Sequence, residues 1–203
     1  KDYPQIKGVL LCPGTGQSGF EGFGKVVSGE VNPSGRTVDT YVSNLKNAPW
    51  WNNFGDFKYT NTEELNSDSS FFDPEGTTPS FVNYVEGIYV GYKFYETAAD
   101  EGLINYDDEV VFPFGYGLSY TSFTKEMSGI TNDGTNLNFT VTVTNTGSVA
   151  GKDVVEIYSD PPYTNGGIEK STANLLDFAK TNELAPGESQ TIEFSIPVED
   201  LAS

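Results

Sequence analysis

With no histidine and a single cysteine, Cys12, this chain cannot assemble a Ser-His-Asp or Cys-His nucleophile, nor a zinc site of ordinary His/Cys ligation. Chemistry must come from carboxylates, hydroxyls, amides and aromatic rings. The densest group lies in a glycine-rich run, Gly14-x-Gly16-x-x-Gly19, with Gln17, Ser18 and Glu21 in and just after it. Asp39 follows Gly19 at the distance of a dinucleotide-binding fingerprint, although Pro13 in the turn and the short following helix count against that reading. The carboxylate pairs Glu63/Glu64 and Asp107/Asp108 sit in polar stretches and read as solvated. Asp153, Glu156 and Asp160 lack the spacing of a calcium loop. Trp50, Trp51, Phe54, Phe57 and Tyr59 cluster ahead of an acidic Ser/Asn/Asp stretch, and read as the core of a long excursion or as a flat stacking platform.

The acidic balance narrows the partners. Twenty-nine Asp and Glu against eleven Lys and Arg give a formal charge of −18, which repels phosphate backbones and anionic head groups. Nucleic acid and membrane are not expected partners. No run approaches the roughly 20 apolar residues of a membrane span, and residues 1–5 do not resemble a signal peptide. One cysteine allows no internal disulfide, so secreted and cytoplasmic locations stay open. No cofactor or metal is expected.

The elements that position these residues change character along the chain. Residues 6–12 (IKGVLLC) read as a strand, residues 20–28 as a helix stopped by Gly29, and residues 36–42 as a second strand, which is α/β order. Residues 81–95 are aromatic and β-branched, and as a strand they would set Ile88, Val90, Tyr92 and Phe94 on one face. After Tyr120 two-residue alternation takes over. Leu137, Phe139, Val141 and Val143 form one such row and Ile192, Phe194 and Ile196 another, with turns at Asp133-Gly134 and Pro186-Gly187. Short strands separated by turn signals predict a β-sandwich.

The ordered motifs PGTGQSGFE (13–21), GEVNPSGR (29–36), EGIYVGYKFY (86–95) and FPFGYGLSYT (112–121) closely resemble glycoside hydrolase family three. VTNTGSVAGKDVVEIY (143–158) and LAPGES (184–189) resemble the fibronectin type III-like domain that often follows in that family. The resemblance implies an α/β region over 1–119, the end of an α/β sandwich domain, followed by an all-β fibronectin type III-like sandwich over 120–203. Both domains would be incomplete. It implies part of a retaining, exo-acting β-glycosidase, a β-glucosidase first and a β-xylosidase next.

In the family an aspartate of a TIM-type barrel is the nucleophile and a glutamate of the α/β domain the acid/base, about 5 Å apart across the scissile bond. Both are expected outside this chain: the resemblance puts the acid/base ahead of the segment matching residues 13–21, and the barrel with its Ser-Asp-Trp motif is not seen, Ser159-Asp160 running into Pro161-Pro162. The chain would then hold no catalytic residue, and its expected partners are the remaining domains and a glycoside substrate. Gln17, Ser18 and Glu21 become candidate substrate contacts, with a plain tight turn and a helix-end carboxylate as the alternative. The run GEVNPSGRTVDTY looks most like a subset in which the barrel comes last. A non-catalytic carbohydrate-binding or adhesion module is the competing function. If both ends are unfinished, residues 6–12 and 190–196 should each lack a sheet neighbour, leaving Val9, Leu11, Ile192 and Phe194 without full cover in this chain.

Overall fold

The computed structural model describes residues 3–12, 14–53, 57–60 and 81–201. Pro13, Phe54, Glu63 and Glu64 lie outside them.

Helix α1 (Gly19–Ser28) ends where the sequence dictates: Gly29 takes φ 79 and its N–H bonds back to the Val26 carbonyl at 3.0 Å. Glu21 and Lys25, one turn apart, pair at 2.8 Å on its surface. The opposite stripe, Phe20, Phe23 and Val27, is exposed, and no residue of the helix is buried. Residues 6–12 make no ladder, with Val9 79% and Leu11 62% exposed. Of the second predicted strand only β1 (Tyr41–Val42) pairs, antiparallel to β2 (Val110–Phe112). Upstream of it, Thr37 spends its bonds on the connector instead. Its N–H reaches the Tyr116 carbonyl, its carbonyl receives Gly115 N–H, and its hydroxyl donates to Pro113 O at 2.6 Å.

The strand considered over 81–95 is corrected. Its last four residues open helix α2 (Tyr92–Asp100), which begins after Gly91 at φ 58 and buries Tyr95 and Ala98 at a helical spacing of three. Alternating aromatics disguised that period. The first half has its backbone held by a side chain, since Val85 N–H donates to Asn53 Oδ1 at 3.1 Å. A single-turn helix α3 (Tyr106–Glu109) then leads into β2.

The second part is the predicted sandwich. One sheet holds β3 (Phe123–Met127) and β4 (Thr131–Asn132) on one side of β5 (Asn136–Asn145), with β8 (Ser189–Pro197) on the other, all antiparallel. The facing sheet holds β6 (Val154–Ser159) and β7 (Asn174–Lys180). Strict alternation sends Phe139, Val141, Val143, Phe194 and Ile196 inward, against Val155 and Leu184. Phe139 lies directly opposite Phe194, rings stacked 5.5 Å apart. Residues 190–196, expected to lack a sheet neighbour, pair with β5 along one side over their whole length and with no strand on the other among the described residues, but Phe194, expected to want cover, is buried by the facing row. The one buried amide at the sandwich rim is fully used. Asn145 donates to the Val149 and Leu184 carbonyls at 2.8 Å each and accepts from Thr121 Oγ1 and Gly147 N–H.

Candidate functional site

The predicted site residues lie together but open to solvent. Gly16 (φ 64) turns the chain, and Gly19 packs so closely on Thr15 that a Cβ there would sit 2.7 Å from Thr15 Cβ. These glycines shape a turn into α1, and Gln17, Ser18 and Glu21 all point from it to the surface. Ser18 makes no side-chain cap bond, and the Glu21 carboxylate is engaged by Lys25. The dinucleotide reading fails on its scaffold: no strand precedes the turn among the described residues. Asp39 is exposed and accepts its neighbour's N–H, from Thr40 at 2.8 Å.

The strongest electrostatic feature is elsewhere, where the segment after α1 meets the sandwich. Asp153, 4% exposed, receives Arg36 Nη2 on Oδ1 at 2.5 Å and Lys125 Nζ on Oδ2 at 3.0 Å. Burial alone would raise its pKa; the hydrogen bonds from Lys125 and Arg36 overcome this and hold the carboxyl below its ordinary value. The same cations also cap carbonyls, Arg36 Nη1 on Gly117 at 2.6 Å and Lys125 Nζ on Val154 at 2.7 Å. Lys180 reaches Ser34 O at 2.9 Å, and burial with Lys152 and Arg36 nearby lowers its pKa. Asn32 adds a neutral tie. Its Nδ2 donates to Ala150 O, and its Oδ1 accepts from Ser119 Oγ and Tyr120 N–H.

This corner also holds an open groove of about 380 Å³ lined by Arg36, Tyr116, Lys125, Glu156 and Tyr158. Tyr158 donates to Glu156 at 3.0 Å; burial and that carboxylate raise its pKa. Asp153 is therefore half of an ion-pair joint, not a calcium ligand. The sequence singles out neither Asn32 nor Arg36 as a site residue. Their signal was chemical type alone, because their partners lie more than eighty residues away.

Trp50 and Trp51 do not form a buried core. Trp50 and Trp51 remain about 40% exposed with planes tilted by 48°, and Phe57 stacks on Phe81 at 5.4 Å. What is buried there is Asn53, 1% exposed, whose Nδ2 lies 2.7 and 2.9 Å from the two Glu86 oxygens. Asp107 and Asp108 are exposed in the first turn of α3.

Residues 153–203 match the fibronectin type III-like domain, which fixes the class of the sandwich. The chain as a whole is 33% identical to β-glucosidase A of Butyrivibrio fibrisolvens, over 98% of its own length and 22% of that relative's. It is 35% identical to a β-glucosidase of Ruminococcus albus, over 93% of its length and 16% of the relative's. Its fold matches β-glucosidase 3B of Thermotoga neapolitana with TM-score 0.68 at 33% identity, covering 88% of this chain and 21% of that one. The GH3 β-glucosidase of Bifidobacterium adolescentis matches with TM-score 0.64 at 29% identity, covering 89% and 22%. The chain belongs to glycoside hydrolase family three, and it spans about a fifth of the length of these β-glucosidases.

Proposed function

We propose that the chain serves within a larger exo-acting β-glycosidase that cleaves terminal sugars with retention, β-glucosides first and β-xylosides next. The observation that carries this is similarity to β-glucosidases over nearly the whole chain. In this reading residues 1–119 form part of an α/β domain and 120–203 the sandwich. The nucleophile and acid/base come from other domains, and those domains are the main partners of this chain. The exposed α1 stripe and residues 6–12 are the surface they would cover.

Gln17, Ser18 and Glu21 then form one wall of the substrate site, and the sandwich braces that wall through Arg36 and Asp153. The test has two arms. The isolated 203 residues should release no aryl group from an aryl β-glucoside or β-xyloside above buffer, because both reacting carboxylates are elsewhere. In the full-length parent, Gln17→Ala should raise KM for the glucoside roughly tenfold, the worth of one hydrogen bond to substrate. Turnover that purifies with the isolated chain overturns the division of labour. An unchanged KM removes Gln17 from the wall.

A further inference from the structure

The sequence contains two Asx-Gly dipeptides, Asp133-Gly134 and Asn165-Gly166, and the structure treats them oppositely. Such a pair can close on itself. The backbone nitrogen of the glycine attacks the side-chain carbonyl carbon of the preceding residue to form a five-membered succinimide, which requires a free N–H, an unengaged side chain and no Cβ in the way.

At Asp133-Gly134 the first two requirements are blocked. Gly134 N–H is spent on Asn132 Oδ1 at 2.8 Å. Asp133 Oδ1 accepts the N–H groups of Thr135 and Asn136, and Oδ2 accepts Asn138 Nδ2 at 2.9 Å. At Asn165-Gly166 none is. The pair forms the centre of a β-turn closed by Gly167 N–H to Thr164 O at 2.8 Å, with Gly166 at φ 82 in the third position. That geometry leaves the Gly166 N–H outside the turn's hydrogen bond. Asn165 is exposed, as are residues 162–169 around it, and its amide has no hydrogen-bond partner among the described residues.

We propose that Asn165 is a self-modification site at which the loop between β6 and β7 deamidates through a succinimide. The Gly166 nitrogen loses its proton and bonds to Asn165 Cγ, the Cγ–NH2 bond breaks, and ammonia leaves. Water then opens the ring at either carbonyl, giving aspartate or isoaspartate, so asparagine and water become an acid and ammonia with no oxidant or reductant. The product adds one negative charge to a chain already at −18. The isoaspartate form also inserts a methylene into the backbone, which the Thr164–Gly167 turn cannot accommodate. The β6–β7 ladder ends at Ser159 and Asn174, well outside the turn, so the sandwich core survives the change.

The test is an incubation of the folded protein in mildly alkaline buffer. Peptide mapping would follow conversion of the Asn165 amide to acid, and an isoaspartate-specific carboxyl methyltransferase would label the product. The expected result is that Asn165 converts before any other asparagine, and that its rate relative to Asp133 is at least roughly tenfold higher in the folded protein than in the urea-unfolded chain, the factor carried by one lost hydrogen bond. Asn165→Gln, which would need a strained six-membered ring, should abolish the label. Unfolding in urea should raise the Asp133 rate strongly and the Asn165 rate little. An Asn165 that stays amidated while other asparagines convert, or a ratio of the two rates that is the same folded and unfolded, would overturn the proposal.

Discussion

The sandwich and the segment ahead of it carry similar apolar residues and hide them to opposite degrees. Val143 and Leu184 are at most 2% exposed, whereas Phe20 and Val27 in α1 are 69% and 65% exposed. Composition does not explain this; partnering does. The inward row of β5 meets the inward row of β8 residue for residue, so each strand brings the cover the other needs. No residue of α1 is buried, and burial of a helix stripe always needs a second surface. Apolar pattern alone therefore tells which face wants cover, not whether this chain supplies it.

The contrast breaks most sharply under truncation. Phe194→Ala removes a ring stacked on Phe139 and should cost about 3–5 kcal/mol in urea unfolding, while Phe20→Ala should cost less than about 0.5 kcal/mol. Equal losses would mean that α1 is packed in solution. Asp153→Ala comes next. It strands Arg36 and Lys125, both partly solvated, and should cost about 2 kcal/mol.

The same residue sets an acid limb. Its folded pKa is depressed, so its contribution is present above the unfolded value of 3.8 and is lost as pH falls below it. Asp153→Asn should flatten stability in that acid range alone, as followed by near-ultraviolet dichroism. The smallest effect is alkaline and lies in the first part. Burial of Tyr95, helped by Asp39 and Glu109, pushes its pKa up to about 12, so its contribution holds below the ordinary 10.0 and fades as pH rises through 12. Tyr95→Phe should lessen that limb, which Tyr106 and Tyr158 with their raised pKa values also carry, and leave the acid one untouched.

Much of the sandwich was legible, because a period of two with turn residues between runs leaves little choice of partner face. Gly29 marked the end of α1 for an equally local reason. Residues 81–95 misled because aromatics satisfy both periods, and the decision rested on Gly91 and on a side chain, Asn53, far upstream. The candidate contacts Gln17, Ser18 and Glu21 were visible as residue types on one turn. The Arg36–Asp153–Lys125 joint was not, since it joins residues separated by up to 117 positions and no local pattern encodes such a meeting.

That joint bears on how such enzymes can be recombined. A chimera that exchanges sandwiches at the connector, near residue 120, would look modular on a map of the chain. Yet Asn32 would meet a foreign loop in place of Ala150, Lys180 a foreign carbonyl in place of Ser34, and Arg36 whatever replaced Asp153. Gly151 tightens the constraint, because any side chain there would strike the Asn32 amide at 2.5 Å. Viable exchanges should therefore carry residues 32–36 along with the sandwich, so that the unit of inheritance is a discontinuous one.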